Sequence, residues 1–178
     1  MKRMQDLVGR ELKWVQPRAM KREFELRDGD DVAATLSFRS LLGSFATAVT
    51  GDGSWTFKRV GFWRTRVTVC VAGTGAEIAT FRNNTWKGGG TLELPDGRRL
   101  RANTNMWGST YAFKAETGAP LVRYRKIGGP LHLSSFMEVV AGTAPELPWL
   151  PALGWYLAIK MNDDAAAGAA AAGAAAAG

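Results

Sequence analysis

The chain has 178 residues, of which 46% are hydrophobic and 22% are charged, a composition typical of one globular domain with a buried core. Its single cysteine, Cys70, excludes an intrachain disulfide and a cysteine-based zinc site. The net charge of +7, with 15 arginines among 23 cations, favours anionic partners such as phospholipid headgroups, nucleic acid or acidic proteins. A basic, solvated surface without a partner is the alternative.

The first residues are basic, but no apolar signal-peptide core follows them. No run of 18 apolar residues occurs anywhere, so a conventional transmembrane helix is not expected. These two observations predict a cytoplasmic protein.

Residues 11–138 show the two-residue hydrophobic period of strands with one buried and one solvated face. In 66–72, three valines face one side, while Arg66, Thr68 and Cys70 face the other. The same period in 20–27 assigns Met20 to the apolar face. Eleven or twelve strands are predicted, at about 11–16, 20–27, 31–38, 45–50, 54–60, 66–72, 76–83, 90–94, 98–103, 110–115, 120–126 and 131–138.

Aspartate-glycine pairs typical of tight hairpins separate several of these strands. They are Asp28-Gly29, Asp52-Gly53 and Asp96-Gly97. So many short strands joined by hairpins favour a closed antiparallel barrel, because closure removes exposed sheet edges. The predicted fold is therefore mainly β.

The segment from Leu147 to Met161, LPWLPALGWYLAIKM, is apolar on every side of a helix. Such a helix must be surrounded by protein or by lipid. Its thirteen uncharged residues would span roughly 20 Å, short of the ~30 Å hydrocarbon core of a bilayer. Prolines suit only its first turn, so the helix should begin near Pro148 or Pro151 and end at Asn162-Asp163-Asp164.

A wide barrel that is not a channel must be filled, and this helix is the one segment suited to fill it. The alternative is a membrane tail anchor. We predict a domain over 1–164 with its central helix at about 150–161, followed by a disordered or frayed Ala/Gly tail over 165–178. The core residues of that helix are predicted to be Leu150, Leu153, Gly154, Trp155, Leu157 and Ile159.

The segments GSWTFKR, EIATFRNNTWKGGGTLELPDGRRL, GAPLVRYR and PELPWLPALGWYLAIKMNDDAA occur in that order. In this order the chain resembles the tubby-like superfamily, and within it small bacterial proteins related to the LURP-one and phospholipid scramblase families. The resemblance covers about residues 10–165. It implies a twelve-stranded barrel closed around a central hydrophobic helix, here Leu150 to Met161.

The resemblance also implies functions at membranes. Tubby domains bind phosphoinositides through a basic surface pocket, and scramblases move phospholipids and respond to calcium. This sequence has no D-x-D-x-D-G calcium loop, and its Asp28-Gly29-Asp30-Asp31 cluster is interpreted as a hairpin turn. No individual headgroup residue of the tubby domains can be matched here.

Catalytic candidates are few. Cys70 lies in a strand without a histidine near it in sequence, so its thiol is predicted to be inert. His132 is the only histidine and is predicted to have a structural role. Gly88-Gly89-Gly90 lacks the lysine of a P-loop and is predicted to be a turn. We expect no enzyme activity, no cofactor and no metal site.

Basic residues remain as the functional signal. Two clusters lie on predicted strands: Arg98-Arg99-Arg101, after the Asp96-Gly97 turn, and Arg123-Arg125-Lys126. A third cluster surrounds two aromatic residues, an arrangement suited to the headgroup region of a membrane. It comprises Lys58, Arg59, Phe62, Trp63, Arg64 and Arg66.

The sequence therefore predicts a non-enzymatic module that binds anionic phospholipid headgroups, peripheral to the membrane. A scaffold for an unknown protein partner and a nucleic-acid binder, whose bases would stack on the same aromatics, are the alternatives. The alternative to any binding role for this cluster is that Phe62 and Trp63 close one end of the barrel while the arginines are solvated.

Overall fold

A computed structural model describes residues 1–61, 65–84, 89–105, 109–128, 133–140 and 146–176. Twelve antiparallel strands form a closed barrel in which each strand pairs with its neighbours in sequence and the last pairs with the first. The strands are β1 Glu11–Val15, β2 Glu23–Asp28, β3 Asp31–Phe38, β4 Phe45–Thr50, β5 Gly53–Val60, β6 Arg66–Val71, β7 Glu77–Asn83, β8 Gly89–Glu93, β9 Arg99–Thr104, β10 Thr110–Ala115, β11 Pro120–Gly128 and β12 Ser134–Val139.

The predicted fold class is confirmed: a mainly β, closed barrel with one C-terminal helix. Predicted and observed strand ends agree within about three residues. The start of β2 is the instructive difference, because Met20 lies before the strand and its side chain is 84% exposed rather than on the buried face. Gly89 and Gly90, predicted to be part of a turn, begin β8, and Gly88 lies outside the described residues.

The helix α1, Leu150–Ala176, enters the barrel at the end where β12 finishes and leaves at the opposite end. We call this second end the exit end; β1 and β3 finish there and β2 and β4 begin there. The other end, which carries the hairpin turn between Asp28 and Asp31, is called the turn end.

The first three turns of α1 form the centre of the core. All six predicted core residues are buried, with Leu150, Leu153 and Trp155 at 0% exposure. Aromatic rings of the barrel wall stack on the helix: Trp14 on Trp155 and Phe38 on Tyr156, with centroids 5.9 and 5.5 Å apart. Each buried large side chain contributes about 1.5–3 kcal/mol of gross transfer free energy, so the helix and the wall depend on each other.

The helix does not end near Met161 as predicted but continues to Ala176. Asp163 and Asp164 lie inside it and pair with barrel arginines instead of ending it. Alanine has the highest helix propensity, and each glycine costs only about 1 kcal/mol, so the Ala/Gly segment extends the helix. Residues 165–175 are all exposed.

A short 3₁₀ helix at Met4–Leu7, which was not predicted from the sequence, covers the turn end. Both Met4 and Leu7 are 0% exposed. Nearby, Lys2 bridges Asp28 and Asp31 at 3.0 and 2.9 Å. The acidic cluster is therefore the β2–β3 hairpin turn, as predicted, and Lys2 and Arg10 pair with two of its three aspartates.

The three tyrosines of the chain lead to a prediction about alkaline pH. Tyr111, Tyr124 and Tyr156 are buried, and burial raises the pKa of each phenol above its ordinary value near 10. The folded state then holds protons that the unfolded state releases, so stability is intact below about pH 10 and falls above it, by up to about 1.4 kcal/mol per pH unit for each phenol.

We expect phenolate absorbance and loss of circular dichroism to rise together in one cooperative transition as the pH increases. Tyr156→Phe should make the fall of unfolding free energy with pH less steep. Phenolate that formed near pH 10 while the circular dichroism stayed native would contradict this prediction.

Candidate functional site

A collar of ion pairs holds α1 where it leaves the barrel at the exit end. Arg22, one residue before β2, donates to Asp163 at 2.7 Å, and Lys160 pairs with the same carboxylate at 3.0 Å. Arg59 of β5 pairs with Asp164 at 2.9 Å. The Arg22 and Lys160 side chains are only 15% and 13% exposed, so these pairs are less screened by solvent than ordinary surface pairs.

The six residues of the predicted headgroup cluster do not all act together. Phe62, Trp63 and Arg64 lie outside the described residues. Arg59 follows the inward alternation of β5 and is used in the collar. Lys58 and Arg66 are exposed on the outer wall, on paired neighbouring strands.

Arg66 belongs to an open groove of about 720 Å³ on the outer wall, which runs from Gly61 at the exit end to Glu93 and Arg99 at the β8–β9 hairpin. Strands β5 to β9 contribute to it. Its lining is polar apart from Val60 and Gly61 and contains Thr65, Arg66, Arg82, Asn83, Asn84, Thr91, Glu93 and Arg99. We call it the arginine groove.

The strand register places like charges together in this groove. Arg66 of β6 and Arg82 of β7 are directly opposite partners, an arrangement that is destabilising in a sheet without a counterion. Glu93 pairs with Arg82 at 3.0 Å and is the register partner of Arg99. Among the described residues, neither Arg66 nor Arg99 has a carboxylate within ion-pair distance. One glutamate therefore balances three arginines.

In the other two basic clusters, Arg98, Arg123 and Arg125 have nearby carboxylates, whereas Arg99 belongs to the arginine groove. Arg98 pairs with Glu146 and Asp96, both at 2.6 Å, and these hydrogen bonds raise the pKa of the guanidinium. Arg125 pairs with Glu11 at 2.7 Å, and Arg123 lies 3.9 Å from Glu138. Arg82 was not predicted as a site residue from the sequence, because only the β6–β7 register brings it opposite Arg66.

The structure offers little for catalysis in the part of the chain that it describes. Burial, and then the nearby Glu77 charge, raise the pKa of the half-buried Cys70 thiol, which lowers its thiolate fraction. His132 lies outside the described residues. No group of three or more His, Cys, Asp or Glu side chains in the described ranges is placed to hold a metal ion.

No protein-family model matches the chain, and no curated protein or solved structure matches it either. The resemblance to the tubby-like superfamily therefore stays a prediction. None of the helices in the described part of the chain is long and apolar enough to cross a membrane.

Proposed function

We propose that this protein is a non-enzymatic module that binds anionic phospholipid headgroups at a membrane surface through the arginine groove. The observation that carries the proposal is the direct opposition of Arg66 and Arg82 across β6 and β7. A phosphate placed between two guanidinium groups removes their repulsion and accepts bidentate hydrogen bonds from each.

The composition of the groove supports a phosphate ligand. Asn83, Asn84, Thr65 and Thr91 provide neutral hydrogen-bond donors around the arginines. The groove is open rather than enclosed by the core, and its arginines are exposed, so a ligand attached to a large surface can reach it.

Single-stranded nucleic acid fits the same surface less well. Binding of that kind uses aromatic side chains on which bases stack. Among the described residues, no aromatic side chain lines the groove and each aromatic side chain is buried or half-buried. The described part of the groove therefore offers charge without a stacking platform.

The proposal predicts the behaviour of Arg66→Gln and Arg99→Gln in flotation with vesicles of phosphatidylcholine and phosphatidylserine. Each substitution should weaken binding about fivefold, since one cation close to an anionic surface contributes about 1 kcal/mol. Binding should also fall as ionic strength rises from about 0.1 M to about 1 M, because the screening length shortens from about 10 Å to about 3 Å.

Arg3→Gln is the matched control, because Arg3 is exposed at the turn end and does not line the groove, and its substitution removes the same charge. It should change binding by less than about twofold, since screening limits the contribution of distant charges. Equal binding to vesicles of phosphatidylcholine alone, or an equal loss with Arg3→Gln, would show that the groove does not recognise anionic headgroups.

A further inference from the structure

We infer that the exit end inserts apolar loop tips into a lipid surface, which orients the barrel with α1 pointing towards the bilayer. The inference rests on the proposed membrane-surface function and names the part of the molecule that enters the membrane. Its basis is the exposure of three apolar side chains at that end: Met20 at 84%, Leu41 at 59% and Leu42 at 96%. They lie in the β1–β2 and β3–β4 connections.

Arg22 holds these two connections together. Its guanidinium donates to the Leu41 carbonyl oxygen at 2.7 Å, pairs with Asp163 of α1 and stacks over the Phe38 ring at 4.4 Å. The Gly43 amide donates to the Ser40 carbonyl oxygen, so Leu41 and Leu42 form the tip of a closed turn. The two leucines are therefore held in solvent by a defined structure.

The charges around these tips complement an anionic bilayer. Arg18, Lys21 and Arg39 are exposed in the same two connections, and none of them has a carboxylate partner among the described residues. Apolar tips with cations beside them suit the interface, where the apolar groups reach the acyl region and the cations stay at the phosphates.

The exposure of the leucine turn also favours lipid over a protein partner. Leu41 and Leu42 are both exposed in one short turn, so a protein would need a matching cavity, whereas a fluid bilayer adapts to them. Beyond Asp164, α1 leaves through the same end with only alanine and glycine. These residues carry no charge whose desolvation would oppose approach to the membrane. The arginine groove begins at this end, at Gly61 and Arg66, so that part of it can contact headgroups in the same orientation.

Two measurements test the inference with the full chain. In the first, an environment-sensitive fluorophore is attached to Ser40→Cys or to Thr117→Cys, both in a Cys70→Ala background. Ser40 adjoins the leucine tip, and Thr117 is exposed in the β10–β11 turn at the turn end. Vesicles containing phosphatidylserine should shift emission to shorter wavelength for the label at 40 and leave the label at 117 unchanged.

The second measurement is partitioning onto the same vesicles. Leu41→Ser/Leu42→Ser should weaken partitioning more than tenfold, because burying one leucine side chain is worth roughly a factor of ten. Val49→Thr is the control, since Val49 is 37% exposed on β4, away from the exit end. It should change partitioning by less than about twofold.

The outcomes separate the two proposals. If the leucine variant binds as the parent does while Arg66→Gln weakens binding, the groove holds and insertion is wrong. If the leucine variant weakens binding while Arg66→Gln and Arg99→Gln do not, insertion holds and the groove is wrong. A leucine variant that abolished self-association in sedimentation, with vesicle binding unchanged, would assign the tips to a second copy and overturn the inference.

Discussion

Gly154→Ala is expected to destabilise the fold by about 2 kcal/mol or more, although alanine is the better helix former. A Cβ at residue 154 would overlap the hydroxyl oxygen of Tyr124 and lie within 2.7 Å of two further atoms of that ring. The ring has little freedom to move, because Tyr124 is 1% exposed, packs against Tyr111 and donates to the Pro151 carbonyl oxygen. Overpacking a tight core costs about 1–3 kcal/mol, and this contact also threatens a buried hydrogen bond.

The same substitution at Gly168 is the matched control. Gly168 lies on the exposed extension of α1, and an added Cβ there meets nothing within 4 Å. Gly168→Ala should raise the stability of the extension by up to about 1 kcal/mol, which is visible as increased helical circular dichroism. Stability changes of opposite sign for the same substitution on one helix would separate the effect of packing from that of helix propensity.

A double-mutant cycle measured by urea unfolding identifies the contact. In a Tyr124→Phe background the nearest clashing atom is gone, so Gly154→Ala should cost less than it does in the parent. Equal costs in both backgrounds would show that the hydroxyl does not limit this position, and a gain from Gly154→Ala in the parent would show that Tyr124 does not limit it.

The barrel was predictable because its determinants are local. Alternation in β6 places Val67 and Val69 inside and Arg66 outside, and an Asp-Gly pair marks the turn at Asp28. Such patterns need no knowledge of distant residues. Once each strand has one apolar face, closure around an apolar helix follows, because it buries both the strand faces and the helix.

The extent of α1 was not predictable from the same local signals. Asn162-Asp163-Asp164 resembles a helix end, yet Asp163 and Asp164 are satisfied by Arg22 and Arg59, more than 100 residues earlier in the chain. Those ion pairs are tertiary. They convert an apparent stop signal into the collar through which the helix continues.

The arginine groove depends on register, which one sequence does not reveal. The β6–β7 pairing shifts between Val69 and Cys70, and a shift of one residue changes which side chains are opposite each other. Arg59 could have been separated from Lys58 by alternation alone, since it shares the inward face of Trp55 and Phe57. The opposition of Arg66 and Arg82 could not have been predicted by alternation, because it depends on the register of two strands.

Leu153→Asp is expected to abolish folding, because Leu153 is 0% exposed at the centre of the barrel. An aspartate there would be an unpaired charge in an apolar core, and leaving a buried charge without a partner costs about 3–5 kcal/mol or more. That is a large fraction of the roughly 5–15 kcal/mol that stabilises a domain. Circular dichroism and thermal unfolding should show no cooperative transition.

Two controls make this result specific to the buried helix. Leu153→Met keeps the volume and should cost less than about 1.5 kcal/mol. Leu42→Asp adds the same charge at a side chain that is 96% exposed, so it should leave unfolding unchanged while weakening vesicle binding. If Leu153→Asp instead stays folded and loses only vesicle binding, α1 is a membrane anchor and not the core of the barrel. If Leu42→Asp unfolds the protein, the exit-end turn is part of the core and cannot be free to enter a bilayer.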